Sequence, residues 1–473
     1  MRDNLDLLLI EPSLDWEKSL KIKMSMRIEK DKPVREGLKI STGYIISSVK
    51  AAGLKVKFID MIIEKVGLNE LFTIIEENNP MVIGMPCFTF QVPVAIEIFS
   101  KIKKKFSNII LCIGGCHVSS LPKKTLSDYP YVDFVISGEA ETSMPIVLNR
   151  IKSGLDISSI YGVFTRGSEK DNEYYYEDVD NLPFPDWSEF KIKNYAGCLP
   201  HIGSVELPLI TGRGCPFKCI FCCRQSGSVC RRRTVDSVIE EIKRNVKDFG
   251  CDTITFLDET FVLNKKWINQ FMETMHSSGL SKKIQWSCTT RVSSVSLDLL
   301  KEMKKAGCYY IFYGFESANK AVLKIIKKGI TPNQMRTAAE WSRQSGIIPT
   351  GSFIIGLPGD NRESVLETIE FAKNLNLYST TFPIATPFPG TELREMAEKG
   401  EYGMKIISDD WGEYLANDFD TYDKGKIGHL ISDDLSWGER IELQRFAYNK
   451  NPKKKLREYI DALNKNIRSY NNG

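Results

Sequence analysis

No run of apolar residues in this 473-residue chain approaches the ~20 needed to span a bilayer, so a membrane-spanning helix is not expected. The opening residues, Met1-Arg2-Asp3-Asn4-Leu5-Asp6, lack a basic stretch followed by an apolar one, so no secretion signal is expected either. There is no internal repeat or low-complexity tract. An excess of one charge is also missing: 64 basic and 60 acidic residues leave a net charge of +4, which argues against a large nucleic-acid footprint. A second C-x2-C pair, of the kind that closes a structural zinc site, is absent as well. The 12 cysteines include several inside apolar runs, such as Cys87, Cys112 and Cys288. Without an export signal they are expected to be reduced thiols in a cytoplasm.

What the chain does have is Gly212-Arg213-Gly214-Cys215-Pro216-Phe217-Lys218-Cys219-Ile220-Phe221-Cys222. Three thiols spaced C-x3-C-x2-C on one short loop can wrap a corner of an iron–sulfur cube. A four-iron cluster usually takes four cysteine ligands. Three from one loop leave one iron open, which is what a catalytic metal needs. Cys223 and Cys230 are nearby extras outside this spacing.

The length implies two or three domains. Residues 1–155 alternate short apolar strands (Leu5–Pro12, Lys55–Asp60, Met81–Met85, Ile109–Gly114, Asp133–Ser137) with helices, the pattern of a doubly wound parallel sheet. Ligands of such sheets bind beyond the carboxyl ends of the strands. A polar stretch at 14–36 reads as a loop or insertion. Residues 156–203 read as a linker, marked by Leu182-Pro183-Phe184-Pro185-Asp186. Over 204–395 six further βα units predict a partial (β/α)6 barrel with its site at the strand C-termini. Residues 396–473 read as helical, with Trp411 and Trp437 as anchors. The Lys453–Lys455 run there reads as a solvated helix end.

The cysteine spacing and Phe221 resemble the signature of the radical S-adenosylmethionine (SAM) enzymes, and the likeness extends over roughly 204–395. In that family the open iron chelates SAM, and an electron from the [4Fe–4S] cluster cleaves it to methionine and a 5′-deoxyadenosyl radical. The resemblance implies Cys215, Cys219 and Cys222 as cluster ligands and Phe221 as a backbone contact near the adenine. Asp258 or Glu259, in Leu257-Asp258-Glu259-Thr260, would hold the SAM ammonium, though no literal Gly-Gly-Glu is present. Arg291 would pair with the SAM carboxylate and Glu316 with the ribose diol. Gly356, in Ile355-Gly356-Leu357-Pro358-Gly359, would let the backbone approach the adenine closely.

Residues 1–155 resemble the flavodoxin-like, cobalamin-binding domain that precedes many such barrels. The likeness implies corrin or tail contacts from Pro12, Ser13, Thr89, Gly114, Gly115, His117, Val118, Ser119, Gly138 and Glu139. The Asp-x-His-x-x-Gly motif that donates a histidine to cobalt is absent, because Asp60-Met61-Ile62 has Ile62 in its place. Cobalamin is therefore expected without a histidine below the cobalt, and His117 as a loop or tail contact.

Together these likenesses imply a cobalamin-dependent radical SAM methyltransferase that methylates an unactivated carbon through a 5′-deoxyadenosyl radical and methylcobalamin. The alternative is a rearrangement, cyclisation or carbon–carbon coupling without methyl transfer. A tRNA-modifying methylthiotransferase is disfavoured, since neither an N-terminal cysteine triad nor a basic C-terminal RNA module is seen. The substrate, a small molecule or peptide, is not specified. An electron donor such as flavodoxin or ferredoxin is implied, and no nucleic-acid partner is expected.

Overall fold

The structure is a computed structural model that describes residues 4–13, 37–169, 176–195, 197, 205–414 and 429–471. The 14–36 stretch lies outside these residues. The chain forms two compact bodies. One comprises Met1–Leu199 together with Cys223–Gly227 and Asp410–Tyr414, and the other holds the remainder.

In the first body, strands β1 (Leu7–Glu11), β2 (Val56–Asp60), β3 (Val82–Pro86), β4 (Ile110–Gly114), β5 (Phe134–Ile136) and β6 (Val163–Thr165) form one sheet in the order β2-β1-β3-β4-β5-β6. All neighbours are parallel except β5 and β6. This is the doubly wound order with its reversal at β1/β3. The strands are nearly continuous apolar runs because helices cover both faces; Leu7, Leu8, Ile83, Leu111 and Ile113 are fully buried. Strand β6 comes from the stretch read as a linker. Its three residues are too short and too close to polar turns to stand out from sequence, and pairing with β5 supplies the missing support. Further along, Trp187 is fully buried against Phe190, and the Tyr195 hydroxyl donates to Asp60 Oδ2 at 2.9 Å. The prolines at 183 and 185 therefore lead into core, not into a free tether.

In the second body, β7 (Glu206–Leu209), β10 (Thr253–Phe256), β11 (Gln285–Thr290), β12 (Cys308–Glu316), β13 (Ile348–Phe353) and β14 (Thr380–Thr381) lie side by side in chain order, all parallel. Helices return the chain between them, which yields the open βα barrel. A short ribbon of β8 (Gly212–Arg213) and β9 (Arg231–Arg232) pairs antiparallel at the base of the cysteine loop. The helix Val235–Phe249 shows how local signals set this repeat. The Thr234 side chain caps its start by accepting from Ser237 N, and Gly250 ends it in the left-handed region. Phe256 of β10 and Trp286 of β11 pack with Phe261 and Phe271 as an edge-to-face and stacked group. The C-terminal stretch carries the helices Trp437–Lys450 and Leu456–Asn471, plus a two-residue ribbon of β15 (Lys405–Ile406) with β16 (Leu430–Ile431).

Candidate active site

At the carboxyl ends of the barrel strands, the cysteine loop is fixed by its backbone. Gly214 adopts φ +96°, a turn that a side chain would strain, and its N–H donates to Glu259 Oε2 at 3.3 Å. Ile220 donates to the Ile326 carbonyl and accepts from Leu393 N at 2.9 Å. Cys215 Sγ lies 3.8 Å from Thr260 Oγ1. Cys222 feels Cys219 and Cys215; desolvation first, then Cys219, pushes its thiol up to about 12, while the Lys328 ammonium opposes the shift. Among the described residues no three His, Cys, Asp or Glu side chains close on one ion. A cube asks for something else, one thiolate per iron, and three soft sulfur donors suit iron–sulfur coordination.

The two acids at the end of β10 separate cleanly. Asp258 is buried, with its carboxylate taken by Thr211 N (3.0 Å), Thr211 Oγ1 (2.5 Å) and, at 3.9 Å, Arg232. Burial raises its pKa, against the pull of Arg232 and Thr211. Glu259 is exposed beside Gly214. Successive residues of an extended chain point opposite ways, so one acid braces the fold and the other faces the loop.

Arg291 stacks over Phe217, 3.7 Å from the ring centroid, donates to Cys219 Sγ at 3.6 Å and donates to the Lys328 carbonyl. Its Nε is a buried donor with no acceptor among the described residues. Glu316 ends β12 at φ +68°, just past a register shift in the ladder, and its backbone accepts from Ile354 N at 2.8 Å. Its Oε1 meets Lys328 Nζ at 2.8 Å, with only 7% and 8% of the two side chains exposed. Lys328 Nζ also lies 5.8 Å from the Phe221 ring centroid. Gly356 follows β13 at φ +78°. Phe221, Arg291, Glu316 and the cysteine loop thus share one neighbourhood through Lys328. That residue was not picked out from sequence, because Lys327-Lys328-Gly329 reads as an ordinary surface turn.

In the first body, the predicted cobalamin residues all fall at the carboxyl edge of the sheet. Pro12 and Ser13 follow β1 and are buried. Thr89 follows β3, and Gly114 and Gly115 close β4. A Cβ at Gly114 would meet nothing within 4 Å, so the turn presents open backbone. Gly115 sits at φ +98°, where a Cβ would come 2.6 Å from Cys87 O. Ser119 Oγ accepts from Gly138 N at 3.0 Å and donates to Gly115 O at 2.9 Å, tying two glycine turns together. His117 is buried with its ring 5.0 Å from Trp411, and Val118 points into the core. Glu139 Oε2 accepts from Glu177 N at 2.6 Å. A rim of small residues with bare backbone and braced hydroxyls fits a large nucleotide-bearing ligand approaching the strand ends.

One body carries a three-thiol loop at the strand ends of an open βα barrel and the other a glycine-lined rim on a doubly wound sheet, two edges of the kind at which cofactors bind. Residues 209–372 match the radical SAM superfamily, and residues 34–148 match the B12 binding domain. The chain is 32% identical over 418 residues to an uncharacterized methyltransferase of Pyrococcus horikoshii, covering 87% of each. It is 28% identical over 377 residues to the anaerobic magnesium-protoporphyrin IX monomethyl ester cyclase of Cereibacter sphaeroides, covering 76% of this chain and 61% of that one. Its fold is similar to that of the radical SAM methyltransferase TsrM from Kitasatospora setae, a structure with cobalamin and a [4Fe–4S] cluster bound, at a TM-score of 0.69 and 16% identity over 94% of this chain and 91% of that one. The chain belongs to the cobalamin-binding radical SAM superfamily. Membership makes it an enzyme that uses a [4Fe–4S] cluster, SAM and cobalamin. No helix among the described residues is long and apolar enough to cross a membrane.

Proposed function

We propose that the protein methylates an unactivated carbon of a small molecule or peptide. The observation that carries this is the convergence of the C-x3-C-x2-C thiols with Glu259, Arg291 and Glu316 at the barrel strand ends, in a chain that also carries a B12-binding domain. Cys215, Cys219 and Cys222 would hold the cluster and Glu259 the SAM ammonium. Asp258 supports the turn beneath them. Arg291, whose Nε has no acceptor among the described residues, would turn that donor toward the SAM carboxylate. Glu316 would accept from the ribose diol and the Gly356 turn would lie against the adenine. The glycine turns at 114–115 and 138 would seat cobalamin with no histidine below the cobalt. When bound, the cluster supplies the electron that cleaves SAM and cobalamin supplies the methyl carrier. The side chains bind, orient and exclude water, and none is needed as a general base. A flavodoxin- or ferredoxin-type protein in a reducing cytoplasm would deliver the electron.

The test is product analysis of protein reconstituted anaerobically with iron, sulfide and hydroxocobalamin, then given SAM and a strong reductant. Methyl transfer predicts both 5′-deoxyadenosine and S-adenosylhomocysteine. The second reading, a cyclisation or rearrangement, is favoured by the similarity to the cyclase; it predicts 5′-deoxyadenosine alone. Cys215→Ala is expected to abolish both products; if that variant still cleaves SAM, the cluster assignment is wrong.

A further inference from the structure

The C-terminal helix Trp437–Lys450 presents a polar stripe to the open edge of the barrel sheet. Arg440, Gln444 and Tyr448 are spaced i, i+4, i+8, so they lie one above another on a single helix face. Arg440 and Gln444 are almost wholly buried. Each of the three makes a hydrogen bond to backbone just past a barrel strand, and the Tyr448 ring also packs edge-on against Phe382. Gln444 Nε2 donates to the Phe382 carbonyl at 2.7 Å, and the Tyr448 hydroxyl accepts from Phe382 N at 3.1 Å. Phe382 directly follows β14, the edge strand. The stripe therefore satisfies edge groups that another strand would otherwise pair.

Arg440 reaches one strand further in. Its Nη1 donates to the Gly356 carbonyl at 2.7 Å, its Nη2 to Ser432 Oγ at 3.0 Å and its Nε to the Leu435 carbonyl at 3.2 Å. The Gly356 turn is closed from the other side by Asp360, whose Oδ2 accepts from Leu357 N at 2.9 Å. A Cβ on Gly356 would collide with the Arg440 guanidinium, so glycine is required here for the approach of arginine as well as for its φ. A wholly buried guanidinium is rare unless its donors are used; here they fix one carbonyl of the turn assigned to adenine.

We propose that Arg440 is a positioning residue for SAM: it sets the backbone of the Gly356–Gly359 turn, making the C-terminal helix part of the SAM site. The proposal rests on the assignment of that turn to adenine. It is tested on the full-length, cluster-loaded protein by titrating SAM. The readouts are the change in the electron paramagnetic resonance signal of the reduced cluster and the split between KM for SAM and kcat for 5′-deoxyadenosine formation. Arg440→Met is expected to raise half-saturating SAM and KM about tenfold, the loss of one charge-assisted hydrogen bond's worth of order, with kcat little changed. Gln444→Leu, which frees Phe382 on the same helix face, should leave SAM affinity within about twofold. Arg440→Lys should recover part of the loss. If Arg440→Met does not fold, Ser432→Ala carries the test, since it removes one anchor of the guanidinium and is expected to raise KM about threefold. Unchanged SAM affinity in these arginine-site variants, or an equal loss in Gln444→Leu, overturns the proposal. If SAM leaves the wild-type cluster signal untouched, the site assignment beneath it falls instead.

Discussion

Replacing Lys328 by Met tests whether the Lys328–Glu316 pair organises the site. The two groups meet at 2.8 Å with 8% and 7% of their side chains exposed. Removing the ammonium leaves a carboxylate desolvated and uncompensated, which costs ~3–5 kcal/mol for a buried pair. Glu316 also holds a positive φ of 68°, a conformation that persists only where its surroundings enforce it. For a body of this size ~1 kcal/mol moves the melting temperature by ~2–4 °C, so Lys328→Met is expected to melt about 6–20 °C lower. The double variant Lys328→Met/Glu316→Gln should regain a good part of that loss, because no buried charge is left alone. Thermal unfolding followed by circular dichroism would measure both. A Lys328→Met protein that melts within ~2 °C of wild type, or a double variant whose loss equals the sum of the singles, would refute the reasoning. The Arg291 contact tests the same logic from the other side: it is made to the Lys328 carbonyl and should survive the substitution.

Three more predictions divide the molecule by role. Glu259→Gln should raise KM for SAM about tenfold at nearly unchanged stability, whereas Asp258→Asn, whose carboxylate braces Thr211, should lower the melting temperature more than it changes KM; steady-state kinetics beside melting curves would show whether the roles are reversed. Gly115→Ala would force a Cβ to within 2.6 Å of Cys87 O at φ +98°, and retention of hydroxocobalamin after gel filtration, read from its visible absorption, is expected to collapse. Gly53→Ala, at φ +74° with open space around it, is the control that should keep the cofactor. Asp360 has its pKa raised to about 6, chiefly by burial and against its hydrogen bonds from Ser364 and Leu357. A raised carboxyl favours the protonated folded state, so its contribution is full below ~4 and is lost as pH rises through ~6, about 3 kcal/mol in all. Denaturant titrations should show wild type losing stability relative to Asp360→Asn between about pH 4 and about pH 6, and parallel curves across that range would sink the argument.

Apart from β6, the strands of both six-stranded sheets were legible in sequence because buried parallel strands are written as short apolar runs between turns. The cysteine loop was legible because its spacing is local. The assignments that failed to resolve depend on distance along the chain or on direction across it. Asp258 and Glu259 are adjacent, and only the observed backbone shows which carboxylate turns inward. Lys328 lies 12 residues from Glu316 and 37 from Arg291, and Arg440 lies 84 from Gly356, with no periodic pattern linking them. Nothing in the sequence singles out Arg440, and only its burial shows it to be a backbone clamp. Strand β6 was hidden for a different reason: three residues carry too little pattern, and its stability is borrowed from β5.

The ribbon at the base of the cysteine loop bears on how the protein acquires its metal. Gly212 pairs with Arg232 and Arg213 with Arg231, so backbone pairing joins the two ends of the intervening segment. That pairing offsets part of the entropy of closing the loop. Small zinc modules are the opposite case, where the ion itself closes the loop and its removal unfolds the chain. Here the loop carries a closure that needs no metal–thiolate bond, so chelating the iron is expected to remove activity before structure, a difference that circular dichroism beside iron content would show.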